Sequence, residues 1–230
     1  MPKIIVIIPA FNEADSIASV VQDIPNVVSE IIVVSNNSTD ATEAHAKKAG
    51  ATVLKEPRKG YGYACLKGMD YVAKQTQKPD IIVFLDGDYS DYPEELTKLI
   101  QPILEKQANL VIGARVKALR EPQSMTPQQI FGNWLATTLM HWFFKSTFTD
   151  LGPFRAISYD TLLHLNMQDK TYGWTVEMQL KALRQKISYK EIPVHYRKRI
   201  GVSKVSGTIT GSIMAGYKIL CWIFKYSFKS

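Results

Sequence analysis

Short apolar runs alternate with longer stretches of helical periodicity over the first half of the chain. Runs rich in β-branched residues predict five strands, at residues 4–8, 30–34, 52–54, 81–85 and 110–112. The intervening segments have the spacing of helices, at residues 13–24, 39–49, 60–76 and 93–107. Several of these strands are apolar on both faces, which is typical of strands covered by helices on both sides. The pattern predicts an α/β fold with a mostly parallel sheet flanked by helices.

The second half of the chain has a different, more aromatic pattern. Residues 126–148 predict a helix that is apolar around much of its circumference, so it either lies in the core or faces lipid. A further helix over 174–185 precedes a strand over 188–194. The segment 209–228 is also apolar, but Lys218 and Lys225 interrupt it, which favours an interfacial helix over a spanning one. We therefore expect amphipathic apolar helices toward the C-terminal half.

Length and composition indicate one folded domain in a reducing compartment. The 230 residues are 46% hydrophobic and 21% charged, which excludes a disordered or collagen-like chain. Cys65 and Cys221 have no spacing typical of zinc or of a disulfide framework, so we expect reduced thiols. The apolar run over 4–10 follows a single lysine and lacks a cleavage site, so it predicts a strand rather than a targeting peptide.

The net charge of +7 is concentrated at one end of the chain. Residues 181–230 contain eleven Lys or Arg and one acid, Glu191, whereas the preceding residues are mildly acidic overall. Such a distribution indicates an anionic partner, which is a phosphate, a nucleic acid or a lipid surface. Aromatic residues such as Tyr217, Trp222 and Phe224 are interspersed with the lysines, which fits lipid, while a solvated basic tail stays the alternative.

Polar residues follow three of the predicted strands, where parallel sheets bind their ligands. Asn12 and Glu13 follow the first strand, residues 35–40 the second, and residues 86–91 the fourth. In the last cluster, the carboxylates of Asp86 and Asp88 can hold a hard divalent cation, which in turn neutralises a diphosphate. Capping of the next helix is the alternative role for this turn, but capping does not need the Asp86/Asp88 pair.

With these motifs in this order, the sequence resembles the family 2 glycosyltransferases. The resemblance covers nearly the whole chain and rests on five segments, at residues 8–13, 37–42, 86–88, 113–115 and 199–204. It implies the Rossmann-like A-type glycosyltransferase fold, with a nucleotide-sugar-binding half over 1–115 and an acceptor half over 116–208. The last segment, Arg-Ile-Gly-Val-Ser-Lys, resembles the branch that glycosylates polyprenyl phosphates, including dolichol-phosphate mannose synthases.

The resemblance also implies roles for individual residues. Asp86 and Asp88 would bind Mg²⁺ or Mn²⁺. The donor-binding residues would be Pro9, Phe11, Asn12, Glu13, Ser35, Asn36, Asp40, Asp86, Gly87 and Arg115. Lys59 and Gly60 are added on physical grounds, because cations and glycines before a helix N-terminus suit a diphosphate or ribose, with a plain Gly-rich turn as the alternative. Ser35 departs from the family pattern, which often has Asp there. The catalytic residues would be Asp88, Asp150 and Glu177, and the acceptor phosphate would bind Arg155, Arg197, Arg199 and Lys204.

Two of these acids have structural alternatives. The segment around Asp150 matches the family imperfectly, because Gly152 comes one residue early and Pro153 is inserted, so a buried Asp–Arg ion pair is the alternative. Glu177 lies in the first turn of a predicted helix, where an acid also favours the helix dipole. Its sequence position therefore suits a general base and a cap equally.

The chemistry of the acceptor decides whether a base is required. A hydroxyl must lose its proton during attack, whereas a phosphate monoester is already largely ionised at neutral pH. The cations of 197–204 and the aromatic helices favour a phosphate on a lipid. We therefore expect an inverting, metal-dependent transfer of a hexose from a UDP- or GDP-sugar to a polyprenyl phosphate.

Two other functions stay open from the sequence. One is transfer to a glycan or small-molecule hydroxyl, with Glu177 or Asp150 as base. The other is a noncatalytic nucleotide-sugar-binding subunit. We expect no nucleic-acid partner, because nucleic-acid binding leaves the pair Asp86 and Asp88 unexplained. In the favoured scheme the protein is cytoplasmic, the basic amphipathic helix over 209–230 holds it on the inner face of the membrane, and homo-oligomerisation stays open.

Overall fold

A computed structural model describes residues 1–201 and 209–227 of the chain. Over these residues the strands are β1 Ile4–Ala10, β2 Glu30–Ser35, β3 Thr52–Lys55, β4 Ile81–Phe84, β5 Leu110–Ala114, β6 Arg155–Ser158 and β7 Tyr189–Pro193. The helices are α1 Ile17–Gln22, α2 Thr42–Lys48, α3 Tyr61–Lys74, α4 Leu96–Leu104, α5 Pro127–Phe144, α6 Tyr159–Leu165, α7 Trp174–Arg184 and α8 Ile209–Ser227. Short 3₁₀ turns lie at Pro93–Glu95 and Lys117–Leu119.

The strands form one sheet in the order β3-β2-β1-β4-β6-β5-β7. All neighbouring pairs are parallel except those of β6, which runs antiparallel to β4 and to β5. The predicted mostly parallel sheet with flanking helices is therefore confirmed. Because β1, β2 and β4 run in the same direction, their carboxyl ends meet at one edge, where polar loops follow each strand.

Two elements, β6 and α6, were not predicted from the sequence. The strand is four residues long, with the sequence Arg-Ala-Ile-Ser, so it has no extended apolar run. Its position between β4 and β5 depends on pairing with strands about 45 and 75 residues earlier in the chain. The predicted helix over 126–148 ends at Phe144 instead, because Lys145 turns into the left-handed region with φ 53°.

Helices cover both faces of the sheet, and β1 contributes to the core on each side. Ile5 and Ile7 belong to one apolar cluster, whereas Ile4, Val6 and Ile8 belong to the other. The alternation explains why the strand is apolar at successive positions, as expected when both faces are covered.

The C-terminal helix α8 is part of this packing. Its Trp222 and Ile223 are buried in the same cluster as Met140 of α5 and Trp174 of α7. The segment predicted as a helix over 209–228 is thus helical over Ile209–Ser227 and packs against α5 and α7. Among the residues described here, no helix combines the length and apolarity needed to cross a membrane.

Helices α5 and α8 share an exposed surface, which we call the apolar face. Helix α5 is buried along one side only, at Ala136, Thr137 and Met140. The rings of Phe143 and Phe224 lie 5.9 Å apart, edge to face, so the exposed residues of the two helices adjoin. The apolar face comprises Ile130, Phe131, Trp134, Trp142, Phe143, Ile213, Met214, Tyr217 and Phe224.

Candidate active site

The two carboxylates predicted to bind metal lie in a tight turn after β4. The hydroxyl of Ser16 donates to the carbonyl oxygen of Gly87 at 2.7 Å, which ties the turn to the loop after β1. Asp88 accepts hydrogen bonds through Oδ1 from the backbone and the hydroxyl of Ser90, at 2.9 and 2.6 Å. The phenol of Tyr61, at the start of α3, donates to Asp86 Oδ1 at 3.0 Å. Both carboxylates are therefore oriented by neighbours before any ligand binds.

Negative charge accumulates around this turn. Burial, and then the charge of Asp88, raise the pKa of Asp86 to about 6. Burial also raises the pKa of Asp91, whose carboxylate oxygens have no hydrogen-bond partner among the described residues. Carboxylates held close together in a buried site are stabilised by a bound cation.

The donor set fits a hard divalent cation bound together with a substrate. In the described parts of the chain, no three His, Cys, Asp or Glu side chains are grouped so that they could hold a metal by themselves. Mg²⁺ sites in phosphate-transferring enzymes often use one or two carboxylates and complete the shell with substrate phosphates and water. Asp86 and Asp88 could supply oxygen ligands of this kind. The carboxylate of Asp91, which has no hydrogen-bond partner among the described residues, adds negative charge that a cation would offset.

Residues 197–200 lie directly against this turn, although more than 100 positions separate them from it. The backbone N–H groups of Arg197 and Ile200 donate to the carbonyls of Ser90 and Asp88, each at 2.9 Å. The guanidinium of Arg199 lies 3.1 Å from Asp88 Oδ2. The structure thus brings the basic motif near the C-terminal end to the metal-ligand candidates.

Arg197 is engaged by the loop that follows Asp88. Its Nε donates to the carbonyl of Tyr89 at 2.7 Å, and its guanidinium stacks on the rings of Tyr89 and Tyr92, 3.5 and 4.1 Å from their centroids. The side chain predicted to bind the acceptor phosphate therefore holds this loop in the structure. Lys204, predicted for the same role, lies outside the described residues.

The predicted donor loops after β1 and β2 are hydrogen-bonded to each other. Asn12, which has a positive φ of 54°, accepts from the backbone of Thr39 at 2.8 Å. Asp40 accepts from the backbone of Ala14 at 3.2 Å and from Thr42 at 3.0 Å. Hydrogen bonds to Thr42 and Ala14 outweigh the effect of burial and lower the pKa of Asp40. Asn12 and Asp40 therefore shape the rim of the site.

The remaining predicted donor residues are distributed between the sheet and its edge. Pro9 and Ser35 are buried at the ends of β1 and β2, and the hydroxyl of Ser35 donates to Glu43 at 3.0 Å. Lys59 is exposed, with its Nζ 6.0 Å from the centroid of the Phe11 ring. The side chains of Lys59 and Phe11 thus face each other across the loops after β1 and β3.

Asn36 anchors the loop between β3 and α3. Its Nδ2 donates to the carbonyl of Arg58 at 2.6 Å, and its Oδ1 accepts from the backbone of Gly60 at 2.8 Å. Gly60 has φ 148°, and a Cβ there would lie 2.2 Å from the carbonyl oxygen of Lys170, so a side chain does not fit. Asn36 and Gly60 are thereby fixed at the edge of the sheet beside Tyr61.

Asp150 forms a buried ion pair, with Arg115 as its partner. The carboxylate accepts from Arg115 Nη2 at 2.6 Å and from Nε at 2.8 Å. Although burial raises the pKa of Asp150, the Arg115 guanidinium holds it below the ordinary value. Asp150 is thus in a buried Asp–Arg pair, as the structural alternative expected, but its partner is Arg115 and not Arg155 of its own segment. A carboxylate paired in this way is a weak proton acceptor.

Arg155 and Glu177 lie inside the protein, with no exposed surface. Arg155 donates to the carbonyls of Thr175, Leu151 and Gly152, and burial lowers its pKa to about 10. Because these carbonyls accept from both terminal nitrogens and the side chain is fully buried, Arg155 is not accessible to an acceptor phosphate in this arrangement. Its Nε has no hydrogen-bond partner among the described residues.

Glu177 is held in a similar way. It accepts backbone N–H groups from Gln168 and Asp169, the shortest at 2.7 Å, and pairs with Lys181 at 2.7 Å. Glu177, which was predicted as a base or a cap, therefore holds the loop before α7 by hydrogen bonds. Its carboxylate is buried away from solvent.

A cavity of about 390 Å³ opens beside Arg115, at the carboxyl end of β5. Two cations that the sequence analysis did not select, Lys117 and Arg120, line it together with Asn133 of α5. The signal was present, because Arg115, Lys117 and Arg120 place three cations within six residues directly after a predicted strand. The charged side chains that line the cavity are therefore net positive, because Asp150 offsets only one of the three cations.

Comparisons with known proteins agree with this fold. Solved structures of glucosyl-3-phosphoglycerate synthase from Mycobacterium tuberculosis are similar, one of them with Mn²⁺, UDP and phosphoglyceric acid. That structure superposes with a TM-score of 0.78 at 20% identity, covering 100% of this chain and 80% of the synthase. The likeness shows a shared fold, which is the A-type glycosyltransferase fold that the sequence resemblance implies.

Sequence relatives then identify the family. The profile described as Glycosyl transferase family 2 matches residues 5–164, so the chain belongs to that family and is a glycosyltransferase. An uncharacterised glycosyltransferase of Mycobacterium tuberculosis is 34% identical over 220 residues, covering 91% of this chain and 93% of that protein. The undecaprenyl-phosphate mannosyltransferase of Micrococcus luteus is 26% identical over 222 residues, covering 91% and 90%.

Proposed function

We propose that this glycosyltransferase moves a hexose from a nucleoside-diphosphate sugar to a polyprenyl phosphate at a membrane surface. The proposal rests on one observation: the cationic cavity lies next to residues of α5 that belong to the apolar face. Asn133 lines the cavity, while Ile130, Phe131 and Trp134 are exposed within one turn of it on α5. A phosphate with an apolar chain has both of the features that such a junction would bind.

The donor would bind at the edge formed by β1, β2 and β4. Asp86 and Asp88 would hold Mg²⁺ or Mn²⁺, which neutralises the charge that develops on the departing diphosphate. Tyr61 orients Asp86, and Ser90 orients Asp88, so the ligand geometry is set in advance. The use of divalent metal by similar folds is consistent with this role, since Mn²⁺ or Mg²⁺ is present in glucosyl-3-phosphoglycerate synthase structures.

The acceptor phosphate would enter the cavity beside Arg115, Lys117 and Arg120. Its second pKa is about 6, so it is largely ionised at neutral pH and attacks the anomeric carbon without a general base. The new bond joins that carbon to a phosphate oxygen, while its bond to the donor's β-phosphate oxygen breaks and the electron pair leaves with the nucleoside diphosphate. In-line attack of this kind inverts the anomeric configuration.

The buried acids support this choice of acceptor. A hydroxyl acceptor requires a carboxylate that is free to take a proton, and neither acid predicted for that role is free, because Asp150 is paired with Arg115 and Glu177 with Lys181. A phosphate acceptor requires cations instead, which the cavity offers. The Micrococcus luteus relative is named for an undecaprenyl-phosphate acceptor, which agrees with the proposal.

The same proposal assigns a place and an organisation to the protein. The apolar face of α5 and α8 would lie against the inner leaflet, with the protein on the cytoplasmic side. Residues 1–115 would bind the donor and 116–208 the acceptor, while the segment 209–230 would add membrane contacts to its packing on the catalytic domain.

A donor screen tests the reaction directly. Purified protein with Mn²⁺ is offered UDP-glucose, UDP-galactose, UDP-N-acetylglucosamine and GDP-mannose, each with a short polyprenyl phosphate. We expect released nucleoside diphosphate and glycolipid that depend on both metal and lipid phosphate. Equal turnover with a phosphate-free polyprenol or a lipid-free hydroxyl would overturn the acceptor assignment, and donor binding without any turnover would indicate a noncatalytic subunit.

Substitution of the metal-ligand candidate gives the matched control for that screen. Asp88→Ala removes an oxygen ligand and should abolish transfer while the thermal unfolding midpoint stays close to that of the wild type. Asp15→Asn removes an exposed acid of the neighbouring loop and should leave turnover unchanged. Full activity of the Asp88 variant would refute the metal assignment.

A further inference from the structure

The carboxylate of Asp169 is fully buried and joins two parts of the fold. Its Oδ1 accepts the backbone N–H groups of Thr171 and Gly173, at 2.7 and 3.0 Å. Its Oδ2 accepts the indole N–H of Trp222 at 2.6 Å and lies 3.4 Å from Lys218 Nζ. Thr171 and Gly173 belong to the loop before α7, whereas Trp222 and Lys218 belong to α8. Asp169 therefore links α8 to the loop before α7 through hydrogen bonds and an ion pair.

Gly173 leaves space for the contact between Trp222 and Asp169. A Cβ at Gly173 would lie 2.4 Å from two indole atoms of Trp222 and 2.6 Å from Asp169 Oδ2. Any larger residue would thus displace the Trp222 ring from the carboxylate. The ring of Tyr226 stacks on Trp222 from the next turn of α8, at 5.5 Å between centroids. The indole is consequently fixed on several sides.

The opposite side of the same loop contacts the proposed donor site. The backbone N–H of Tyr63 donates to the carbonyl of Lys170 at 3.0 Å, and that of Gly62 donates to the carbonyl of Thr171 at 3.3 Å. A Cβ at Gly62 would lie 2.1 Å from the carbonyl oxygen of Asp169. The two backbones are therefore in direct contact, with no side chain between them.

Tyr61 completes a continuous series of contacts. It lies between Gly60 and Gly62, and its phenol donates to the metal-ligand candidate Asp86. Contacts thus run from Trp222 of α8 through Asp169 and the loop 169–173 to Gly62, Tyr61 and Asp86. Of these residues, Tyr61 and Asp86 belong to the site proposed above, whereas Trp222, Asp169 and Gly62 do not.

We propose that Asp169 is a positioning residue that couples the seating of α8 to the binding of the metal–nucleotide donor. The proposal rests on the proposed function of the Asp86 site. With α8 seated, the loop 169–173 holds Tyr61 against Asp86. When α8 detaches, the loop loses the indole N–H contact, and donor binding weakens. Because binding couplings are reciprocal, donor binding also fixes α8 on the domain.

The test measures nucleotide binding to the full chain by calorimetry, with UDP or GDP in the presence of Mn²⁺. Trp222→Phe removes the indole N–H and keeps an aromatic ring in the core. It should weaken nucleotide affinity by about two- to tenfold, the effect of one hydrogen bond, with little change of kcat at saturating donor. Tyr226→Phe is the matched control, since it removes a hydroxyl of the same helix and leaves the Asp169 contact in place.

A second pair of variants separates positioning from stability. Asp169→Asn places an amide N–H where the indole N–H now donates, so it should weaken affinity more than Trp222→Phe does. In the double variant the indole donor is gone, and the loss should be smaller than the sum of the two single losses. If Asp169→Asn does not fold, the nucleotide affinity of Trp222→Phe alone still tests the coupling between α8 and the donor site.

Hydrogen exchange supplies a readout that is independent of activity. Addition of UDP or GDP with Mn²⁺ should slow amide exchange in α8 of the wild type and have less effect in Trp222→Phe. A lower unfolding midpoint with unchanged nucleotide affinity would show a purely structural role and overturn the inference. If neither nucleotide binds the wild type, the proposed function itself fails, so the two failures are distinguishable.

Discussion

Arg199 and Asp88 form an ion pair with 3.1 Å between Nη2 and Oδ2. The same nitrogen of Arg199 lies 3.2 Å from Oε1 of Glu13, so one guanidinium bridges the loop after β1 and the turn after β4. Its positive charge lies beside the carboxylate that we propose as a ligand of the divalent cation. The arginine and the cation would therefore compete for Asp88 until a diphosphate is present to pair with both.

Removal of the Arg199 charge should tighten the binding of Mn²⁺ in the absence of nucleotide. We expect Arg199→Gln to raise Mn²⁺ affinity by about two- to fivefold, the effect of a typical ion pair between partly exposed side chains. Turnover should fall in the same variant. Titration followed by electron paramagnetic resonance measures free Mn²⁺, and Lys198→Gln, next to it in sequence, is the control. Unchanged Mn²⁺ affinity in Arg199→Gln would argue against competition for Asp88.

Loss of a cation from the cavity should affect the acceptor and not the donor. Arg120→Gln removes a charged hydrogen-bond donor, so we expect KM for the polyprenyl phosphate to rise by about tenfold or more. KM for the nucleotide sugar should stay within a factor of two. Steady-state kinetics with each substrate varied in turn checks this, with Lys48→Gln on exposed α2 as the control. A rise in both KM values would show that the cavity is not specific for the acceptor.

Glu177→Gln should destabilise the protein without changing its pH–rate profile. The substitution leaves Lys181 buried and without its charge partner, which costs about 3 kcal/mol or more of unfolding free energy. The double variant Glu177→Gln/Lys181→Met should regain part of this loss. A general base would behave differently, because its removal lowers kcat by about 10²- to 10⁴-fold and abolishes the acidic limb of the profile. Urea unfolding and kcat against pH distinguish the two roles.

At acidic pH the contacts of Glu56 in the loop between β3 and α3 should stabilise the protein less. Hydrogen bonds from Arg58 lower the pKa of Glu56 from 4.5 to about 2. A depressed carboxylate pKa stabilises the fold above the unfolded-state value, and this contribution is lost as the pH falls from about 5 toward 2.

The free energy of unfolding should therefore decrease less steeply between pH 5 and pH 3 in Glu56→Gln than in the wild type. Denaturant unfolding at several pH values measures this difference. Because most of Arg58 is exposed, the difference should shrink at high salt. Parallel curves for the two proteins at low salt would contradict the assignment.

Membrane attachment is best tested by point substitution on the apolar face. Deletion of 209–230 would also remove Trp222 and Ile223 from the core, so it would confuse unfolding with loss of lipid contacts. We expect Trp134→Ser combined with Trp142→Ser to release the protein from vesicles that contain anionic lipid, as measured by co-sedimentation. Leu104→Ser, an exposed apolar residue of α4, is the control. Unchanged sedimentation of the double variant would remove α5 from the membrane contact.

The local sequence pattern was sufficient to predict most strands of the sheet and the turn that contains Asp86 and Asp88. The apolar runs that become β1, β2, β4 and β5 are buried on both faces, so their sequences differ clearly from those of the amphipathic helices between them. Asp86 and Asp88 were selected because a turn after a buried strand has a known position at the sheet edge. The short strand β6 has no such signal, because pairing with β4 and β5 decides its conformation.

The sequence by itself thus determined the fold class, the family and the carboxylate pair, since these depend on periodicity and on motifs of adjacent residues. Only the tertiary structure decided which charges face one another. It paired Asp150 with Arg115, buried Glu177 against Lys181 and Arg155 against backbone carbonyls, and seated Trp222 of α8 on Asp169. Burial and ion pairing depend on contacts between residues far apart in the chain, and such contacts leave no local pattern from which they can be predicted.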